Sequence, residues 1–165
     1  MEEKRMKNVL KQYHDGEYSQ NPQLLRIKLP YARVLVVDDM PGNLKLAKML
    51  MRPYGMQIDC VTSAQQAIDA IRDEHVKYNA IFMDYMMPRI NGVEALRIIR
   101  EEIGTQYAKT IPIIAFTASA VAGSREMFLN KGFQAFLPKP VDTIRLDTII
   151  RKWVRDEKQE RQFYP

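Results

Sequence analysis

Cysteine occurs once in these 165 residues, as Cys60, and histidine twice, as His14 and His75. A single thiol excludes an internal disulfide and any zinc site built from several cysteines, and two imidazoles exclude a histidine-rich metal centre. A metal, if one is held, must be held by oxygen. Long apolar runs are also missing. Stretches such as Ala80–Met83 and Ile111–Phe116 fall far short of the roughly 20 residues a membrane-crossing helix needs. The opening MEEKRMKNVLKQYHDGEY is charged throughout and offers no apolar stretch for a secretory signal, so residence in the cytoplasm is expected. Charge of one sign is not concentrated either. The net charge is +5, but Arg151, Lys152 and Arg155 interleave with Asp147, Asp156 and Glu157. These read as solvated helix faces rather than a nucleic-acid footprint, and neither nucleic acid nor a membrane is an expected partner.

What is present is an ordinary globular balance, 46% hydrophobic and 27% charged, in a chain long enough for one domain plus appendages. From Arg33 onward short apolar runs alternate with amphipathic stretches, the pattern of a parallel sheet covered by helices. Five such units fit. The first strand, Arg33–Val37, is β-branched without alternation, as expected when both faces are buried. Pro41 suits the first turn of a helix carrying Leu44, Ala47, Leu50 and Met51, and Pro53 and Gly55 end it. Strand two is about Gln57–Val61. Ser63 and Gln66 form a capping box before a stripe of Ala64, Ala67, Ile68 and Ile71. Strand three, Ala80–Met83, runs into Asp84, and helix three occupies about Val93–Ile103. A polar loop then leads to strand four at Ile111–Phe116. Helix four ends near Asn130 and Lys131, with Gly132 in the left-handed position beyond it. Strand five is Ala135–Leu137. Asp142 caps helix five, whose apolar face holds Leu146, Ile149, Ile150, Trp153 and Val154. Residues 1–32 read as an arm or linker, with a possible short helix from Met6 to Tyr13; residues 33–154 are the globular domain and 155–165 a charged tail.

In an open parallel sheet the ligand crevice lies beyond the carboxyl ends of the strands. The residues there are Asp38 and Asp39, Asp84, Thr117 and Lys139. Two carboxylates about 4 Å apart at an effective dielectric near 20 repel by about 4 kcal/mol. Three make three such pairs, which one lysine cannot cancel. A hard divalent cation can, so the pattern predicts a Mg²⁺ site with Asp39 and Asp84 as direct ligands and Asp38 close by or acting through water. Magnesium held by few protein oxygens keeps positions open for a phosphoryl group. Asp84 is then the nucleophile, Thr117 and Lys139 hold phosphoryl oxygens, and Ala118 leaves access.

The residues Val34-Leu-Val-Val-Asp-Asp39, Phe82-Met-Asp-Tyr-Met-Met-Pro88 with Asn91-Gly92, Ala115-Phe-Thr-Ala118 and Leu137-Pro-Lys-Pro140 resemble the signature of receiver domains of two-component response regulators. The resemblance spans about Arg33–Val154. It implies a flavodoxin-like doubly wound five-stranded parallel sheet of order 2-1-3-4-5, with Asp84 taking a phosphoryl group from a histidine kinase or histidine phosphotransfer domain. It further implies the backbone carbonyl of Met86 as a third protein ligand for Mg²⁺, and Thr117 with Phe136 as the switch pair. The surface of the fourth helix, fifth strand and fifth helix would be read by a downstream protein. Asp84-Tyr-Met-Met-Pro, Phe128-Leu-Asn-Lys-Gly-Phe133 and Pro41-Gly-Asn-Leu are similar to receivers attached to hybrid sensor histidine kinases, which would make the arm a linker from a kinase core. Two departures stand out. Asn91 occupies a place where many members carry Asp, and Phe136 lacks the hydroxyl of a tyrosine, so its switching would work by packing alone.

Three alternatives stay open. One is a stand-alone single-domain regulator. A second is an aspartyl-phosphate phosphatase, which needs a second acid two residues after the nucleophile, where this chain has Met86. The third is a binding module that never becomes phosphorylated.

Overall fold

The computed structural model describes residues 25–118 and 124–165, with side chains from 126 in the second span; the expected Met6–Tyr13 helix lies outside the described residues. Five strands, β1 (Arg33–Val37), β2 (Gln57–Val61), β3 (Ala80–Asp84), β4 (Ile113–Thr117) and β5 (Ala135–Pro138), form one sheet of order β2-β1-β3-β4-β5. Every pairing is parallel. The helices are α1 (Pro41–Met51), α2 (Ala64–Asp73), α3 (Gly92–Arg97), α4 (Gln106–Thr110), α5 (Ser124–Asn130), α6 (Thr143–Ile149) and α7 (Glu157–Phe163). Both α3 and α6 continue into a π-helical turn, at Ile98–Glu102 and Ile150–Val154.

Strand alternation divides the core in two. Val34, Val36, Ala80, Phe82, Ile114, Phe116 and Leu137 face a cluster completed by α1, α6 and residues Leu29 and Ala32. Leu35, Val37, Ile81, Met83, Ile113 and Ala115 face the other, completed by α2, α3 and Phe128 of α5. Side chains of successive strand residues point to opposite faces. With apolar residues at both parities, β1, β3 and β4 require cover on both sides. Neighbouring strands then carry residues of equal parity to the same face, which puts Asp38 and Asp84 on the α1 side of the sheet.

Caps behave as the residue types dictate. Asp142 Oδ1 accepts from the backbone N–H groups of Ile144 and Arg145. Ser63 Oγ accepts from Gln66 N–H, while Gln66 Oε1 accepts from the N–H and hydroxyl of Thr62 rather than closing the box on Ser63. Gly132 has φ +103° past α5, a conformation that only glycine adopts without strain.

Four segments differ from the sequence reading. The loop expected before strand four contains α4, opened by Thr105, whose Oγ1 accepts from Ala108 N–H at 3.1 Å. Strand pairing starts at Ile113, two residues later than expected, after Pro112, which has no N–H to give a ladder. The charged tail contains α7, which packs back on the domain: Tyr31 Oη donates to Glu160 Oε2 at 3.1 Å and Asn79 Nδ2 donates to Gln159 Oε1 at 2.6 Å. Residues 25–32 also lie on the domain. Leu29 is 1% exposed and donates its N–H to the carbonyl of Tyr54 at 2.7 Å.

Candidate functional site

Because β3 lies between β1 and β4, its last residue, Asp84, stands at the centre of the sheet's carboxyl edge, paired in register with Phe116. Asp38 and Asp39 leave the end of adjacent β1. Carboxylate oxygens of Asp38, Asp39 and Asp84 all lie within 4.8 Å of one another. Lys139, one residue past β5, brings Nζ to 2.9 Å from Asp38 Oδ2 and 3.5 Å from Asp84 Oδ1. Its backbone N–H donates to the Thr117 carbonyl at 2.7 Å, so the end of β4 sets the position from which the ammonium reaches inward.

Each carboxylate is held by its own turn. Met40 N–H donates to Asp38 Oδ1 at 2.9 Å, and Met86 N–H to Asp84 Oδ1 at 3.4 Å. The loop after Asp84 closes through Gly92, whose N–H donates to the Tyr85 carbonyl at 2.9 Å. A Cβ on Gly92 would stand 2.7 Å from the Asp84 carbonyl oxygen, closer than any side chain tolerates, so glycine is required here by backbone proximity. Asn91 lies outside the acid cluster; its Oδ1 accepts from Glu94 N–H at 2.9 Å and caps α3.

The charges do not cancel. Three carboxylates face one ammonium, and at 4.8 Å each acid pair still repels by about 3 kcal/mol at an effective dielectric of 20. Burial pushes the Asp84 carboxyl up to about 6, opposed by Lys139 and by the Met86 N–H, and assisted by Asp38 and Asp39. A cluster of hard oxygen donors with surplus negative charge, two of its three acids buried, fits a divalent cation such as Mg²⁺.

The acids open into a cavity of about 340 Å³. Asp38, Asp39, Asp84, Met86, Ala118 and Lys139 line it, as do Met40 and Asn43 at the start of α1, while Leu46, Phe116 and Val141 form an apolar wall. The structure thus brings together five of the seven expected residues. Thr117 is buried at the end of β4, with its carbonyl on Lys139. Phe136 is half-buried on the opposite face of the sheet, stacked on Phe128 at 5.9 Å, with the Arg145 guanidinium 5.0 Å from its ring. Asn43 and the apolar wall were missed by sequence reasoning. Asn43 belongs to the quoted Pro41-Gly-Asn-Leu segment, but the wall residues look like any other core positions.

A parallel five-stranded sheet with helices on both faces and a cluster of three carboxylates at its carboxyl edge defines a flavodoxin-like α/β domain of the kind found in signalling switches. The chain belongs to the response regulator receiver domain family, whose model matches residues 34–151. It is 32% identical over 134 residues to the sensor protein GacS of Pseudomonas syringae pv. syringae, covering 79% of this chain and 15% of GacS. It is also 32% identical over 120 residues to the signal transduction histidine-protein kinase BarA of Escherichia coli K12, covering 73% and 12%. The chain therefore spans about an eighth to a seventh of the length of these relatives. Among solved structures it is similar to the receiver domain of sensor histidine kinase PA1611 from Pseudomonas aeruginosa PAO1, which has magnesium coordinated in its active-site cleft. That likeness has a TM-score of 0.64 and 32% identity, and covers 74% of this chain and 96% of that one. A second is the co-crystal structure of the Saccharomyces cerevisiae histidine phosphotransfer protein Ypd1 with the receiver domain of Ssk1. Here the TM-score is 0.65 and the identity 25%, covering 79% of this chain and 92% of that one. Among the described residues no helix is long and apolar enough to cross a membrane.

Proposed function

We propose that this receiver accepts a phosphoryl group on Asp84 from the phosphohistidine of a histidine kinase or phosphotransfer protein, as part of a hybrid sensor histidine kinase. The observation that carries the reading is the meeting of three carboxylates within 4.8 Å beside Lys139. Similarity to GacS and BarA supports the hybrid-kinase setting. The Ypd1 complex supports a phosphotransfer partner.

Asp38, Asp39, Asp84 and the Met86 carbonyl would hold Mg²⁺, as the PA1611 receiver does in its own cleft. Bound there, the ion supplies positive charge for the phosphoryl oxygens. A carboxylate oxygen of Asp84 attacks phosphorus in line with the phosphorus–nitrogen bond. A phosphorus–oxygen bond forms, the phosphorus–nitrogen bond breaks, and the imidazole nitrogen leaves with the electron pair, taking up a proton. The product on this chain is an acyl phosphate. Lys139 holds developing negative charge from 3.5 Å. With Met86 where a phosphatase would carry its second acid, the general acid of a fast phosphatase is missing from that position, and the acyl phosphate persists as a signal. Thr117 then moves toward the new oxygens and Phe136 repacks against Phe128, altering the α5–β5–α6 surface read by a downstream protein.

Incubation with Mg²⁺ and acetyl phosphate, followed by intact mass, tests the reading. One phosphoryl adduct, absent from Asp84→Asn, is expected. Many donor equivalents consumed per chain would indicate a phosphatase, and no adduct from acetyl phosphate or from a phosphohistidine protein would leave a binding module.

A further inference from the structure

Among the described residues three acids are buried, Asp38, Asp84 and Asp147. The first two belong to the cleft; Asp147, in α6, does not. A buried carboxylate is costly unless it is paired. The Tyr54 hydroxyl donates to Asp147 Oδ1 at 2.7 Å, and Arg151, in the π-helical turn that continues α6, donates Nε to Oδ2 at 2.7 Å. With Nε fixed in this way, Arg151 directs Nη2 outward and donates it to the carbonyl of Leu25.

The Leu25 side chain is exposed, so the start of the entry segment, residues 25–32, is held by α6 and not by burial. Further along, Leu29 N–H donates to the carbonyl of Tyr54, the residue whose hydroxyl holds Asp147. The Tyr31 hydroxyl accepts from Asp156 N–H and donates to Glu160, which Arg155 grips through Nε and Nη2. Each of these anchors ties the segment to α6 or to the residues that follow it. The first turn of α6 meets the residue expected to switch. Strand β5 is an edge of the sheet, and Arg145 reaches past that edge to lie 5.0 Å from the Phe136 ring, which also stacks on Phe128. Arg145 and Arg151 are about 9 Å apart along the helix axis, and a helix moves as a unit.

We propose that α6 carries the state of Asp84 to the entry segment, with Arg145 sensing the Phe136 ring and the Asp147–Arg151 pair holding Leu25. The inference rests on phospho-acceptance at Asp84 and on Phe136 as the switch. When the ring repacks, Arg145 loses its contact, α6 shifts and Arg151 releases the Leu25 carbonyl. The partner that receives the signal is then the chain preceding residue 25, on the side of the domain opposite the acids. The entry segment meets the sheet at the amino end of β1, about 16 Å along the strand from Asp38. Coupling of this kind is reciprocal, so whatever holds the entry segment also biases Phe136. Arg145 and Arg151 are positioning residues, and neither lines the cleft.

The test reads hydrogen exchange in the full chain at the Leu29 and Ala32 amides, which donate to the Tyr54 and Leu29 carbonyls, with the Ala67 amide of α2 as reference. After Mg²⁺ and acetyl phosphate, with the adduct verified by intact mass, both amides should exchange at least about fivefold faster while Ala67 stays within about twofold. Arg151→Lys separates a structural role from a coupling role, because one ammonium can pair with Asp147 but has no second branch for Leu25. That variant should keep the wild-type Tm within about 2 °C. Both amides should already exchange fast in it, with no further rise on phosphorylation. Arg145→Gln should keep the slow exchange and lose the response, since it removes the cation from the Phe136 ring. Unchanged amides in the phosphorylated wild type overturn the proposal, as does a full response in either variant or an equal rise at Ala67. NMR of the unphosphorylated chain carrying fluorinated phenylalanine keeps the tests separate, because Arg151→Lys should by itself shift the Phe136 resonance. That shift without any adduct would retain the coupling and remove the acceptor role, whereas an unmoved resonance overturns the coupling.

Discussion

Replacing Asp84 by Asn should stabilise the metal-free protein. Burial raises the Asp84 carboxyl from 3.8 to about 6, so at pH 7.5 the folded chain holds an ionised group in a place that favours its neutral form. A shift of about two units corresponds to about 3 kcal/mol. The carboxylate opens onto a solvent-filled cleft, which screens part of this, and Asn loses the attraction to Lys139. About 1–2 kcal/mol remains. For a chain of this length that is about 3–6 °C in Tm. The sign follows from linkage: a carboxyl raised in the folded state contributes stability that is fully present below about 3.8 and is lost as pH rises through about 6. Thermal unfolding by circular dichroism in EDTA should therefore show Asp84→Asn above wild type at pH 7.5, with the gap closing as pH falls towards 4.5. Saturating Mg²⁺ should reverse the order. An ion at 100 times its Kd stabilises its binder by about 2.7 kcal/mol, and the variant lacks one ligand. A variant less stable than wild type in EDTA at pH 7.5, or a gap indifferent to pH, would refute this electrostatic account of the site.

Tyr54→Phe removes the hydroxyl that donates to buried Asp147 Oδ1 at 2.7 Å; a loss of about 1–3 kcal/mol is expected from urea denaturation, since among the described residues the carboxylate then keeps Arg151 alone as a side-chain partner. Gly92→Ala places a methyl 2.7 Å from the Asp84 carbonyl oxygen, and should cost about 1–3 kcal/mol together with weaker magnesium uptake by calorimetry. Thr117→Ala should retain the phosphoryl adduct by mass but blunt the response of Phe136, read by NMR of fluorinated phenylalanine with and without acetyl phosphate. A full response from that variant would exclude Thr117 as the coupling residue.

Much of the site was legible because a strand end is a local feature. An apolar run followed by Asp38-Asp39, by Asp84 or by Pro138-Lys139 can be found without knowing what lies beside it. Strands β1, β3, β4 and β5 followed in the same way, from apolar runs too short for a helix and rich in β-branched or aromatic residues, while β2, Gln57–Val61, was placed by its position between two helical stretches. Helix α4 was not legible: five residues, Gln106–Thr110, are too few to display a helical stripe, and the segment is set by the Thr105 cap and by Arg100 Nη1 donating to the Ala108 carbonyl. The docking of α7 was equally hidden. None of its residues is buried, so no apolar pattern announces it, and its contacts reach Tyr31 and Asn79 far away in the chain.

By themselves the residues determined which side chains stand at the strand ends and that strands β1, β3 and β4 must be covered on both faces, since both properties are written in neighbouring positions. The place of β3 between β1 and β4, expected only through the receiver resemblance, is set by tertiary packing, and tertiary structure alone decided that Asp38 and Asp84 share the α1 side and that an apolar wall of Leu46, Phe116 and Val141 backs the acids. Crossovers of similar length permit several strand orders, and the choice among them is made by packing between residues distant in the chain, which no local pattern encodes.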